Sequence, residues 1–102
     1  MSTIAIDVPR DQIPDFCLRY KVRRLSLFGS VIHDDFTPES DVDVLVEFEP
    51  DAHASYFTLF DMEEELSAML GGRKIDVNTV NSLSKYFRDE VLAEAEVLYV
   101  AP

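Results

Sequence analysis

The chain has 102 residues, of which 47% are hydrophobic and 28% charged, and its nine basic and twenty acidic side chains give a formal net charge of −11. This length fits one domain over residues 1–102, which buries roughly 65% of the surface that its unfolded chain exposes. So negative a chain repels nucleic-acid backbones and anionic membranes, which argues against direct binding to DNA or RNA and favours divalent cations or a basic protein.

Helices and strands alternate along the predicted chain. Apolar spacing and turn residues predict, in chain order, a helix over 11–20, a strand over 24–28, a helical turn and loop over 31–40, a strand over 41–48, a helix over 56–70, a strand over 74–79, a helix from Asn81 or Ser82 to Ala95, and an edge strand that could follow over 97–100. Pro14 is compatible with the first helix only in its first turn. This order predicts an α/β (α+β) fold, in which a small mixed sheet is covered by helices.

The chain contains one cysteine, Cys17, which excludes an internal disulfide. It lies on the apolar stripe of the first predicted helix, so we expect a buried thiol rather than a nucleophile. The N-terminus has no basic segment followed by an apolar run, and no apolar stretch approaches membrane-spanning length. These features predict a cytoplasmic protein that does not bind membranes.

A short motif follows the first predicted strand, and a pair of acids begins the second. Gly29 permits a sharp turn and a close approach of backbone to a ligand, and Ser30 begins a helical turn whose N–H groups and hydroxyl can hold a phosphate. Asp41 and Asp43 are two residues apart on a strand, so both side chains leave the same face. Adjacent carboxylates repel one another unless a hard divalent cation lies between them, and magnesium fits best.

A third carboxylate, Asp76, is flanked by apolar residues in the strand predicted over 74–79. We expect an acidic residue among apolar neighbours in a strand to face inward only if it has a specific role there. If this strand neighbours the strand of Asp41 and Asp43, the three carboxylates converge. The third acid could then ligate a second metal ion and help to deprotonate an attacking hydroxyl.

Together these residues resemble the signature of the minimal nucleotidyltransferases of the DNA polymerase beta superfamily, which is Gly-Ser, a spacer, Asp-x-Asp and a third Asp on a later strand. The matching residues are Gly29-Ser30, Asp41-Val42-Asp43 and Asp76, and the resemblance extends over roughly residues 20–100, the segments 46–50 and 86–95 included. It implies the palm-like fold of that family. It also implies that Asp41, Asp43 and Asp76 are catalytic and metal-binding, and that Gly29 and Ser30 bind the nucleotide.

The resemblance also implies a reaction and a partner. The small stand-alone members are similar to antitoxins that neutralise HEPN-domain toxins by binding them and, in active cases, by adding AMP to a toxin tyrosine. By resemblance, this chain is expected to use ATP and two magnesium ions and to form a hetero-oligomer with a HEPN toxin. The length agrees, because 102 residues leave little chain for an acceptor pocket of its own.

One position departs from the family pattern. Many members have an arginine a few residues after Gly-Ser, where a cation could pair with triphosphate oxygens. This chain has His33-Asp34 there, and Asp35 follows. Neutral histidine is a poorer phosphate partner than arginine, and Asp34 with Asp35 would repel a triphosphate, so the departure predicts weaker activity or binding alone.

Each of these residues also has a purely structural interpretation. Gly29-Ser30 alone is compatible with an ordinary turn, and Asp41 and Asp43 with a turn exit and a strand-edge charge. Asp76 alone could be a strand-end acid paired with Lys74 or Arg73. The acids of 61–65 are predicted to lie on the solvent-exposed face of a helix, and Tyr86 and Phe87 in a core or interface. Lys85 and Arg88 could help to hold a triphosphate, but surface charges are the simpler interpretation. His33 is predicted to be a solvated loop residue rather than a ligand.

Three functions remain in competition. The first is the nucleotidyltransferase antitoxin described above, and the second is an antitoxin with a decayed site that acts by binding alone. The third is a transferase that acts on a small molecule, for which an additional acceptor-binding domain is expected. A zinc site is not predicted, because the two histidines show no Cys–His spacing.

Overall fold

The computed structural model describes residues 6–33 and 36–102. Its elements are, in chain order, α1 Ile13–Arg19, β1 Val22–Phe28, a 3₁₀ turn over Gly29–Ile32, β2 Val42–Phe48, α2 Tyr56–Met69, β3 Ile75–Thr79, a second 3₁₀ turn over Val80–Ser82, α3 Arg88–Glu94 and β4 Glu96–Val100. The predicted elements up to β3 are therefore present, with ends that differ by one or two residues. The edge strand β4 is also present.

The four strands form one mixed sheet in the order β3-β2-β1-β4. Strand β1 is antiparallel to both of its neighbours, whereas β2 and β3 are parallel. A parallel pair needs a crossover connection, and α2 supplies it. The prediction of a small mixed sheet covered by helices is confirmed.

One face of the sheet forms the main core. Leu25 and Leu27 of β1 lie opposite Val46 and Val44 of β2, and all four are buried. Helices α1 and α2 cover this face with a buried stripe each: Ile13, Phe16 and Cys17 from α1, and Met62 and Leu66 from α2. Because side chains alternate along a strand, Asp43 and its neighbours on the opposite face are left outside this core.

The predicted helix from Asn81 or Ser82 to Ala95 is wrong over its first half. The α-helix begins only at Arg88, because Thr79 and Ser82 exchange side-chain and backbone hydrogen bonds that close a single 3₁₀ turn. Leu83 then adopts an extended backbone, φ −79° and ψ 143°, and its side chain is buried. The local hydrogen bonds compete with helix formation, as serine and threonine side chains commonly do.

No helix in the part of the chain that the structure describes has both the length and the apolar character needed to span a bilayer.

Helix α2 starts at a reciprocal cap, which generates a stability prediction. Ser55 Oγ accepts from Thr58 N at 3.4 Å, and Thr58 Oγ1 accepts from Ser55 N at 3.2 Å. Ser55→Ala should lower the free energy of unfolding by about 1 kcal/mol, whereas Ser55→Gly should lower it by only about 0.3 kcal/mol. Urea denaturation followed by circular dichroism measures both values. An unchanged free energy of unfolding in Ser55→Ala would contradict a role for the hydroxyl.

Candidate active site

The Gly29 turn brings backbone directly against a carboxylate. Gly29 follows β1 with φ +75°, a conformation that L side chains rarely adopt. A Cβ atom at this position would overlap Oδ2 of Asp43, which lies on the neighbouring strand β2. Glycine is therefore required twice, for its backbone angle and for the space that Asp43 occupies.

Asp43 and Asp76 are nearest neighbours across two parallel strands. They are paired in the β2–β3 register, so their Cα atoms are separated by about the 4.8 Å spacing of adjacent strands. Paired residues project from the same face of a sheet, and this face is the one opposite the main core. The strand adjacency on which the sequence prediction depends is thus present, but Asp76 is exposed rather than turned inward.

The electrostatics of Asp43 reflect this arrangement. Burial raises the pKa of the Asp43 carboxyl, and the negative charges of Asp76 and then of Asp41 raise it further. Both effects disfavour the ionised form. All three acids therefore lie close enough to interact, and Asp43 is the one most affected.

Asp41 precedes β2 and is half-buried. Its Oδ2 lies 3.9 Å from Nζ of Lys74, the residue before β3. Among residues 6–33 and 36–102, no three histidine, cysteine or acidic side chains form a preassembled metal-binding group. The structure thus brings the three carboxylates to one end of the β2–β3 pair, with Asp41 near a lysine.

The residues after Gly29 form the predicted helical turn. Ser30 is half-buried in the 3₁₀ turn, and within the described residues its hydroxyl has no hydrogen-bond partner. His33 ends the turn, and its Nε2 lies 3.3 Å from Oε2 of Glu94 in α3. His33 is exposed, as predicted for a loop residue, and also contacts another element. The predicted repulsion from Asp34 and Asp35 concerns residues outside the described part of the chain.

The acidic residues of α2 do not all lie on a solvent-exposed face of the helix. Glu63 Oε2 accepts a hydrogen bond of 2.9 Å from the backbone N–H of Val77 on β3. Glu65 pairs with Arg19 of α1, with 2.6 Å between Oε1 and Nη1. Of the four acids in this run, only Asp61 and Glu64 are exposed. No local sequence signal indicates these contacts, because each partner lies on a different element.

Two further residues near the C-terminus differ from their predicted environments. Arg88 is not a free surface charge, since its Nη2 donates to the carbonyl of Leu83 at 3.0 Å. Tyr86 is 88% exposed, which is incompatible with the core. Both differences follow from the turn that replaces the start of the predicted helix.

The contact between Gly29 and Asp43 can be tested with two glycines. Gly29→Ala should lower the free energy of unfolding by about 2–3 kcal/mol, because it combines an unfavourable φ with the overlap at Asp43. Gly71→Ala is the matched control, since Gly71 has φ +78° and a Cβ added there would meet nothing within 4 Å. It should cost about 1 kcal/mol. Equal costs by urea denaturation would show that Asp43 does not contribute.

The raised pKa of Asp43 predicts a stabilising substitution. Above the pKa of the folded state the Asp43 carboxylate is charged in both the folded and the unfolded state. Its burial and then its position beside Asp76 and Asp41 make this charge oppose folding. Asp43→Asn should therefore raise the free energy of unfolding at pH 7 by a few tenths to about 1 kcal/mol, because partial exposure screens the repulsion.

The gain from Asp43→Asn should shrink as the pH falls from the raised pKa of the folded state to the ordinary aspartate value, since the native acid then takes up its proton first. Urea titrations of both proteins at pH 7 and near pH 3 measure this difference. Asp11→Asn at an exposed position is the control and should change stability by less than about 0.5 kcal/mol. A gain that does not depend on pH would contradict the electrostatic origin.

Comparison with known proteins places the chain in a family. The model of the family described as "Polymerase beta, Nucleotidyltransferase" matches residues 11–101. Protein adenylyltransferase MntA of Thermococcus cleftensis is 38% identical over 82 residues, which are 80% of this chain and 78% of MntA.

Solved structures share the fold. A toxin–antitoxin with AMP-PNP superimposes with a TM-score of 0.72 at 17% identity, covering 92% of this chain and 75% of that chain. A tri-AMPylated Shewanella oneidensis HEPN toxin in complex with an MNT antitoxin gives a TM-score of 0.63 at 17% identity, covering 90% and 70%. Family match, sequence relative and fold agree: the chain belongs to the minimal nucleotidyltransferases of the polymerase beta superfamily and is a nucleotidyltransferase enzyme.

Proposed function

We propose that this nucleotidyltransferase transfers AMP from ATP, with magnesium, to a hydroxyl of a partner HEPN toxin, and thereby acts as its antitoxin. The expected acceptor is a tyrosine. The single observation on which the proposal depends is the pairing of Asp43 with Asp76 beside the Gly29 turn. The relative from Thermococcus cleftensis, which is named a protein adenylyltransferase, supports the choice of donor and of acceptor class.

The donor atoms fit magnesium. Asp41, Asp43 and Asp76 offer hard carboxylate oxygens, and burial, followed by the charges of Asp76 and Asp41, raises the pKa of Asp43. Two ions are expected. Asp41 would have to turn from Lys74 to join the other two carboxylates. Bound magnesium would neutralise charge on the triphosphate and on the α-phosphorus during the reaction.

The Gly29 turn fits the phosphates of the nucleotide. Gly29 has no side chain to keep a ligand away, and Ser30 has a hydroxyl with no partner among the described residues. Backbone N–H groups in the first turn of a helical segment attract anions. The toxin–antitoxin of similar fold contains the ATP analogue AMP-PNP, which agrees with ATP as the donor.

The proposed chemistry is an in-line displacement. The acceptor oxygen forms a bond to the α-phosphorus, the bond between that phosphorus and the bridging oxygen breaks, and pyrophosphate leaves. The proton of the hydroxyl passes to Asp76, which is the most exposed of the three carboxylates and therefore accessible to an acceptor on another protein. Asp43 is held against Gly29, where it would hold a magnesium ion that binds the reacting phosphate group.

A second function is favoured by one observation. His33 stands where the resemblance noted in the sequence implies an arginine, and its ring contacts Glu94 of α3. The segment 29–33 then supplies no side chain with a permanent positive charge to pair with the triphosphate. An antitoxin that acts by occupation alone would need no such cation.

A labelling experiment distinguishes the two functions. The chain is incubated with magnesium, ATP labelled at the α-phosphate and a purified HEPN protein as the proposed partner. We expect label on the HEPN protein, a loss of at least about a hundredfold with Asp43→Asn or Asp76→Asn, and no label after chelation of the metal. Asp11→Asn, an exposed acid outside the site, should label at the wild-type rate.

Tight binding of the HEPN protein without label would favour the occupation mechanism. Wild-type labelling by both site variants would contradict the proposed role of the carboxylates. Mass spectrometry of labelled peptides identifies the acceptor residue.

A further inference from the structure

A groove lined by exposed aromatic side chains runs between α2 and the outer edge of β3. Tyr56, Phe57 and Phe60 are 90%, 83% and 58% exposed, respectively. With Leu59, Val77 and Thr79 they line a space of about 710 Å³, which we call the aromatic groove. Three large aromatic residues within five positions on a surface helix do not contribute to the core. Contiguous apolar patches of this kind mark interaction sites.

The outer edge of β3, which borders the groove, is not available for pairing with an added strand. Strand β3 is at the edge of the sheet, and its outer backbone groups are the ordinary template for pairing with another strand. The N–H of Val77, however, is already bonded to the Glu63 carboxylate. A new strand would have to break this bond and would meet a negative charge in its place. An occupant must therefore bind through side chains inserted between the aromatic residues, as an amphipathic helix does.

The negative charge beside the groove favours an occupant with positive charge. Asp61 and Glu64 are exposed and lie one helical turn beyond Phe57 and Phe60, so they border the aromatic stripe with negative charge. Glu63 adds a third carboxylate. A second copy of this chain also has a net charge of −11 and would be repelled. The complementary occupant has an apolar stripe flanked by lysine or arginine.

The groove reaches the strand that carries Asp76. Asn78 in its wall lies two residues beyond Asp76 on the same face of β3, and its Nδ2 donates to the carbonyl of Asp76 at 3.1 Å. A helix seated in the groove therefore has one end within a few residues of the carboxylate proposed to accept the proton. We propose that the aromatic groove docks a basic amphipathic helix of the acceptor protein and thereby presents its hydroxyl to the site. This inference rests on the proposed function, because it takes the acceptor to be a protein.

The test measures binding separately from transfer. Phe57→Asp and Phe60→Asp are compared with Leu18→Asp, which changes an equally apolar residue, 68% exposed, on α1. Affinity for the purified HEPN protein is measured by calorimetry, and transfer of the α-labelled AMP is measured in parallel. Each groove variant should weaken binding at least about tenfold, whereas Leu18→Asp should not change it. Binding by the wild type should weaken as salt rises.

A photo-crosslinking amino acid at position 57 provides a variant that keeps the apolar surface. It should crosslink to a lysine- or arginine-rich helical segment of the HEPN protein, and the same group at position 18 should not. Thermal melting shows that each variant is folded.

The outcomes separate the two proposals. Loss of binding in the groove variants supports the groove as the docking site, whether or not the wild type transfers AMP. Transfer and binding that persist in folded groove variants overturn the groove while the proposed function stands. Crosslinks to a second copy of this chain or to a β-strand also overturn it. A wild-type chain that does not bind the HEPN protein overturns both proposals.

Discussion

The repulsion among three carboxylates is the constraint around which the candidate site is arranged. Asp43 is half-buried beside Asp76, with Asp41 nearby, and its carboxyl is held against backbone where Gly29 has no side chain. A fold selected for stability alone would replace one of these acids or separate them. Their presence in one place is therefore the clearest physical sign that the protein uses them together.

The parallel pairing of β2 with β3 produces this arrangement. Parallel strands place residues near the same end side by side, and the register puts Asp76 beside Asp43. Strand β1 runs the other way and ends at Phe28, which lies beside Asp43. The Gly29 turn therefore begins next to the acids. Three elements that are distant in sequence thus meet at one end of the sheet, while α1 and α2 stabilise it from the opposite face.

The sequence predicts the parts of this structure that depend on local patterns. The alternation of β2, the apolar spacing of α2 and the Gly-Ser and Asp-x-Asp motifs all lie within short windows, and the elements they predict are present. The last helix is predicted too long, since the hydrogen bonds between Thr79 and Ser82 outweigh an apolar pattern that suits a helix equally well. The overlap of Gly29 with Asp43 and the bond from Val77 to Glu63 join separate elements, so no local pattern reveals them.

The position of Cys17 has a practical consequence for studies of this chain. Its thiol is on the side of α1 that packs against the sheet and is fully buried, and burial raises its pKa to about 12. A thiol that stays protonated and is enclosed by the core does not react with alkylating reagents in the native state. Because it is the sole cysteine, the rate of alkylation reports how often α1 separates from the sheet. The native chain therefore contains its own probe of local opening, free of any attached dye.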